Sequence, residues 1–243
     1  MINICKAMFY RIIKSRVTLY CFILSIAFPF LLVLSSTTSA TYVDIKGILD
    51  SVSIMGLAVI FVFISIFICN DYRSKTLYYE VMNGHHRYQV YTGRALVVVL
   101  FGFIMFNIQL IITLVMSNLT INYQLSNQGN EIAVLKIIAV ELCLLAFLMF
   151  FAFTALALKN IIVSLSVSWF GLIASNIIVI FDEYKITSTE TTISSVLGSG
   201  AIKYALAGDF SNIWFTICIM VSIVLILFFY FMGLFIFKKS ELH

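Results

Sequence analysis

The sequence predicts an all-α membrane protein with six transmembrane helices, both termini in the cytosol, and an N-terminal interfacial amphipathic helix. Three observations carry that reading. The chain is 62% hydrophobic and 11% charged, whereas a soluble domain is about half apolar and about a quarter charged. Six apolar runs each reach the roughly 20 residues that a helix needs to cross a hydrocarbon core of about 30 Å. Lys and Arg sort to alternate sides of those runs, and strand spans would instead show alternating segments of about ten residues. Outside the runs no stretch is long enough to bury a separate soluble core, so a single transmembrane domain over residues 1–243 is expected.

The elements follow in order. In the segment from Ile2 to Arg16, Ile2, Met8, Phe9, Ile12 and Ile13 fall near one helical face with Lys6, Arg11 and Lys14 around the other. That pattern suits a helix lying on an anionic leaflet, and equally suits plain flanking charge. The first span covers about 17–38. A basic start followed by an apolar run and Ser39-Ala40 resembles a signal peptide, but the run exceeds the roughly 7 to 15 residues of such a core. Pro29 removes one backbone donor from that helix, so a kink is expected there. The remaining spans cover about 48–70, 95–118, 137–158, 161–181 and 213–237.

Charge orients the bundle. Of 15 basic residues, Lys6, Arg11, Lys14, Arg16, Arg73, Lys75, Arg87, Arg94, Lys159, Lys238 and Lys239 fall on one side, and Lys46, Lys136, Lys185 and Lys203 on the other. The richer side is the cytosolic one. Between the fourth and fifth spans only Lys159-Asn160 intervenes, which requires those helices to form a tight hairpin. The outer segment 182–212 is rich in Ser, Thr and Gly, yet Ile193, Val196, Leu197, Ala201, Tyr204 and Ala205 recur at helical spacing. That spacing reads as a short amphipathic helix at the outer surface, which Gly198 and Gly200 can break into pieces that dip back toward the membrane; for residues 186–205 a re-entrant helix and a surface loop both stay open.

Several chemistries are excluded or weakly supported. The net charge of +4 is divided by membrane side rather than gathered on one basic face, so no nucleic-acid partner is expected. The five cysteines sit in apolar runs or near inner ends, without CxxC spacing. No GxxxxGK[ST], HExxH or GxSxG is present, so neither a nucleotide cradle nor a hydrolase centre is expected. Adjacent His85 and His86 point about 100° apart on a helix and make a poor metal pair. Glu141 is the one acid well inside a span, so it should face the bundle or a cavity. Two readings stay open, with the second preferred: a substrate path with Asn107, Gln109 and Asn176, and an interhelical hydrogen bond to one of them.

The longest polar interruption on the inner side is 71–94, which carries Arg73, Lys75, Arg87 and Arg94. Leu77, Tyr78, Val81 and Met82 give Thr76–Tyr91 a partly apolar helical face, broken at Asn83-Gly84, before a second helical piece enters the third span. A short amphipathic helix of this kind suits the groove of a cytosolic partner.

Asp71, Thr76, Gly84 with Arg87, and Tyr91 with Arg94, followed at the end by Phe237-Lys238-Lys239-Ser240-Glu241-Leu242, resemble the permease subunits of type 2 ATP-binding-cassette (ABC) exporters. Six spans, a long basic first inner loop, a minimal second one and a long last outer loop are similar to that family over the whole chain. Ser74 and Lys75 stand where the family often has Gly, and Arg94 where it usually has Lys. The resemblance implies a coupling helix that sits on a separate ATPase subunit through Asp71, Arg73, Thr76, Leu77, Gly84, Arg87, Tyr91 and Arg94. It further implies that ATP and Mg are held by that subunit with no cofactor on this chain, and a second permease subunit, the same or paralogous. It points to export of a peptide-like or amphipathic substrate across a bacterial cytoplasmic membrane, as in antimicrobial peptide immunity. The other function class is a non-transport membrane protein, a sensor or assembly factor, whose loop recruits a cytosolic partner. A channel or ion-coupled transporter would need more buried charge than Glu141 supplies.

Overall fold

The computed structural model describes residues 2–39, 45–121, 130–185 and 212–239. The described residues form eight helices: α1 Ile2–Lys14, α2 Arg16–Ser39, α3 Ile45–Arg73, α4 Thr76–Met82, α5 Arg87–Ile121, α6 Asn130–Leu158, α7 Ile161–Lys185 and α8 Asn212–Lys239. No strand occurs among them. Among the described residues, four stretches are long and apolar enough to cross a membrane, Ile54–Arg73, Arg87–Met116, Ile138–Leu158 and Ile217–Lys239. A fifth arises if α1 and α2, bent by 65° at their junction, are taken as one span. Within the described residues, Ile161–Ser175 is a shorter apolar helix. The chain is thus a membrane protein with several apolar helices of spanning length. The outer segment 186–205, whose form the sequence left open, lies outside the described residues.

The bend between α1 and α2 is at Ser15, while α2 continues as helix through Pro29. α1 turns Ile4, Met8 and Ile12 into the protein, and Ile4 and Cys5 rest on Gly93 of α5. Phe9 adds a ring contact to Phe101, with centroids 5.1 Å apart. The inner amphipathic face is therefore partly a protein contact. Phe9, Tyr10 and Ile13 remain exposed, as suits the apolar side of an interfacial helix.

One end of the bundle collects the start of α2, the ends of α3, α6 and α8, and the starts of α5 and α7. Tyr72 Oη donates to the Leu156 carbonyl at 2.8 Å, tying the last turn of α3 to that of α6. Arg87 Nη1 donates to the Lys238 carbonyl at 2.9 Å, satisfying an acceptor at the C-terminus of α8. The α6–α7 turn is made by Lys159 in the left-handed region, φ 56°, with its ammonium 5.8 Å from the centre of the Tyr72 ring. All six long helices alternate in direction from this end.

Hydrocarbon supplies no hydrophobic drive between spans, so close approach and hydrogen bonding hold them together. Gly102 of α5 lets Leu148 and Ile60 in, since a Cβ there would lie 2.9 and 3.0 Å from them. Gly233 of α8 receives Tyr91 of α5, whose hydroxyl occupies the place of a Cβ. Hydroxyl pairs add polar links: Ser65 to Ser164 at 3.1 Å between α3 and α7, and Thr154 to Ser168 at 3.0 Å between α6 and α7. α6 and α8 share the aromatic seam of Phe150, Phe153 and Phe229.

Because Tyr91 fills the space over Gly233, Gly233→Val is expected to destabilise the purified protein by about 1–3 kcal/mol through overpacking. Thermal unfolding in detergent measures this, and adding Tyr91→Phe should recover part of the loss. An unchanged transition in Gly233→Val would contradict this packing.

Candidate functional site

The segment 71–94 is mostly helix. α3 runs past the apolar residues to Arg73, α4 occupies Thr76–Met82, and α5 begins at Arg87. Ser74 and Lys75 form the first corner, with Lys75 at φ 54°. Ser74 Oγ donates back to the Asn70 carbonyl at 2.9 Å, and Thr76 Oγ1 donates to the Asp71 carbonyl at 3.1 Å. Gly84, at φ +87° and with open space around it, makes the second corner where a side chain would strain the backbone.

At the centre lie two buried charges. Asp71, in the last turn of α3, and Arg94, two turns into α5, are each 1% exposed and paired directly through Arg94 Nη1 and Asp71 Oδ2. Glu80 of α4 receives the same guanidinium from the other side, Nη2 to Oε1 at 2.8 Å and Nε to Oε2 at 3.3 Å. Arg11 of α1 reaches Asp71 Oδ1 at 2.6 Å and Thr76 Oγ1 at 3.5 Å. Asp71 Oδ1 and Arg94 Nη2 make no aligned hydrogen bond, so those two contacts are ionic ones. Two acids and two bases balance. The cluster is neutral and joins four elements: α1, α3, α4 and α5.

α4 is held from two sides. Leu77 is buried at 1% exposure and Val81 packs beside the core, while Glu80 is gripped by Arg94. Burial raises the Glu80 carboxyl above its ordinary pKa, and the positive charge of Arg11 works against that rise. The opposite face presents Tyr78, Tyr79 and Met82, exposed at 36%, 60% and 67%. Seven residues thus display a compact aromatic and thioether surface away from the bundle.

The residues singled out by sequence divide accordingly. Asp71, Leu77, Tyr91 and Arg94 are buried within the chain; Asp71, Leu77 and Arg94 fasten α4, while Tyr91 faces α8. Arg73 and Gly84 are exposed, while Thr76 and Arg87 are half-buried and bonded within the chain. Tyr91 packs against Tyr230 and Phe237 of α8, with centroids 5.9 and 5.7 Å away. Its face of α5 thereby connects the site to the end of α8. Sequence reading missed Glu80, and assigned Arg11 to the membrane surface. One signal was available: Asp71 and Glu80 are the only acids in a segment holding four Lys and Arg.

Of the second group, Asn107 and Glu141 meet: Asn107 Nδ2 donates to Glu141 Oε2 at 3.3 Å and to the Phe103 carbonyl at 3.1 Å. Gln109 lies on another face of α5, buried against Gly56 of α3. Asn176 belongs to α7, but its side chain falls outside the described residues. His85 and His86 gather no metal set, and among the described residues no group of three His, Cys, Asp or Glu converges.

An apolar groove of about 600 Å³ opens between α5, α6 and α8, lined by Thr92, Leu96, Phe103, Leu145, Met149 and Tyr230. It opens beside the charge cluster, at Tyr88 and Thr92, and runs along α5 to Phe103, one turn short of Asn107. No protein-family model and no curated protein matches this chain.

Removing one partner of a buried pair strands the other, so Asp71→Leu and Arg94→Met should each cost about 3–5 kcal/mol. The double variant is expected to lose clearly less than their sum. A double-mutant cycle by thermal unfolding reads the coupling, and strict additivity would mean the pair is not the link it looks to be.

Proposed function

We propose that the chain is the permease subunit of an ABC exporter of the type 2 kind, driven by a separate ATPase subunit through residues 71–94. In this reading six helices span a bacterial cytoplasmic membrane with both termini in the cytosol. The α4 end of the bundle is then the cytosolic end. The observation that carries the proposal is α4 itself: a short helix with a solvent-facing Tyr78, Tyr79 and Met82 surface, clamped by Glu80–Arg94–Asp71 to the ends of α3 and α5.

A partner gripping the exposed face of α4 would move a lever rather than a loose loop. Short amphipathic helices are held in grooves through their apolar side chains. Displacing α4 pulls Glu80, and Glu80 pulls Arg94, so the motion enters α3 and α5 at their ends. From α5 it reaches α8 through Tyr91. Helices joined this way shift as units between alternative packings. Closure of two ATPase subunits under two permease copies would then switch the substrate path between inward and outward states.

The chain contains no P-loop, so in this reading ATP and Mg are bound by the partner and this subunit is no enzyme. A peptide-like or amphipathic substrate suits the available surfaces, with apolar parts along the α5–α6–α8 groove and a polar contact at Asn107 and Glu141. The second permease, of the same or a paralogous kind, would meet exposed apolar faces such as that of α8, where Met220, Val224, Phe228, Phe231 and Phe235 are exposed. No nucleic acid enters this reading.

Co-expression with a P-loop ATPase from the same genome and gentle extraction tests it. The wild-type chain should retain the ATPase stoichiometrically. Tyr79→Glu with Met82→Glu should release it while leaving the thermal transition of the permease unchanged, because both side chains point away from the core. Retention of the ATPase by that variant would remove α4 as the interface. A stoichiometric cytosolic partner without nucleotide hydrolysis would favour the recruiting-protein reading.

A further inference from the structure

A second feature near the charge cluster has no role in the export reading. Where α1 bends into α2, a crevice of about 510 Å³ opens against the end of α3. Its mouth carries Tyr10, Arg11 and Lys14 of α1, and its wall carries Ile66, Phe67 and Asn70 of α3. We propose that this crevice binds one anionic phospholipid, with the headgroup phosphate held between Arg11 and Lys14 and the upper acyl chain on Ile66 and Phe67.

Three features favour that occupant. Position comes first: an amphipathic helix turning by 65° into an apolar one marks the boundary between headgroups and acyl chains. Charge comes second. The contacts of Arg11 to Asp71 and Thr76 both use Nη1, and a guanidinium has five donors on three nitrogens, so its remaining donors can take a phosphate. The Lys14 ammonium, exposed and 5.7 Å from the Tyr10 ring centre, adds a second cation on the same side of α1.

The third feature is the shape of the lining. A soluble phosphate or an acidic peptide would leave the apolar wall uncovered, whereas a lipid supplies an anionic head and a hydrocarbon tail in the right order. Asp71 also lines the crevice, but its carboxylate is already taken by Arg94 and Arg11 and leaves the cations at the mouth to meet the phosphate. Arg11 would then stand between the lipid and Asp71, so the bound lipid steadies α1 against the cluster that holds α4. The inference goes beyond the export reading and needs only the membrane placement of α1 and α2.

Thermal unfolding of the detergent-purified full chain, with added phosphatidylglycerol, phosphatidylcholine or glycerol phosphate, tests it. Phosphatidylglycerol should raise the transition saturably, and the other two should not. Loss of one basic contact weakens binding roughly fivefold, so Lys14→Gln should raise the half-saturating lipid concentration by about that factor, and Lys14→Glu by more. Lys6→Glu, an equal charge change on the same helix outside the crevice, should leave it within about twofold. Equal protection by glycerol phosphate would overturn the lipid assignment. Equal weakening by Lys6→Glu and Lys14→Glu, or none by either, would overturn the site. Both Lys14 variants carry an exposed side chain, and a wild-type transition without lipid shows that they fold.

Discussion

The ion pair between Asp71 and Arg94 is the constraint on which the α4 end of the molecule depends. Taking a carboxylate and a guanidinium out of water costs several kcal/mol per ion, and only close pairing with satisfied neighbours repays it. Asp71 carries an additional penalty, because it lies in the last turn of α3, where the helix dipole disfavours an acid. It therefore requires cations, and takes one from α5 and one from α1. Arg94 in turn has a fork wide enough for two acids and uses its far side for Glu80, which brings in α4. Each added partner follows from the need of the previous one.

Specificity of the remaining bundle rests on small residues and hydroxyls. Leu, Ile and Phe on a span gain little by meeting another span instead of lipid, so they do not choose partners. Gly102 and Gly233 choose, by admitting Leu148, Ile60 and Tyr91 where any side chain would collide. Ser65, Ser164, Thr154 and Ser168 choose by pairing hydroxyls that lipid cannot satisfy. Tyr91 belongs to both systems. Its ring is seated on α8 while its neighbour Arg94, one turn on, enters the charge cluster, and so the polar end and the aromatic seam share one stretch of α5.

The helices were largely legible beforehand because hydrocarbon allows no other backbone solution. The short turn at Lys159-Asn160 and the break at Asn83-Gly84 were legible for local reasons, a pair of residues too few for a loop and a glycine suited to positive φ. Helix ends were less so: α3 and α5 extend beyond the apolar residues, since Asp71 and Arg94 are helical and buried rather than part of a wet loop. A charge in a sequence reads as solvated until its partner is known. Leu77 and Tyr79 illustrate the same limit, being apolar neighbours of one short helix that face opposite ways.

By itself, then, the sequence determined the membrane class, the helical backbone and the position of a polar segment between two spans, because hydropathy and turn chemistry act over a few adjacent residues. Only the tertiary structure decided which polar groups of that segment are inside and which face outward. Asp71 and Arg94 are 23 residues apart, and Arg11 comes from another helix altogether. Whether such charges are buried or hydrated depends on the desolvation each suffers and the partner each meets, and both are properties of the packed ends of helices rather than of any local run of residues.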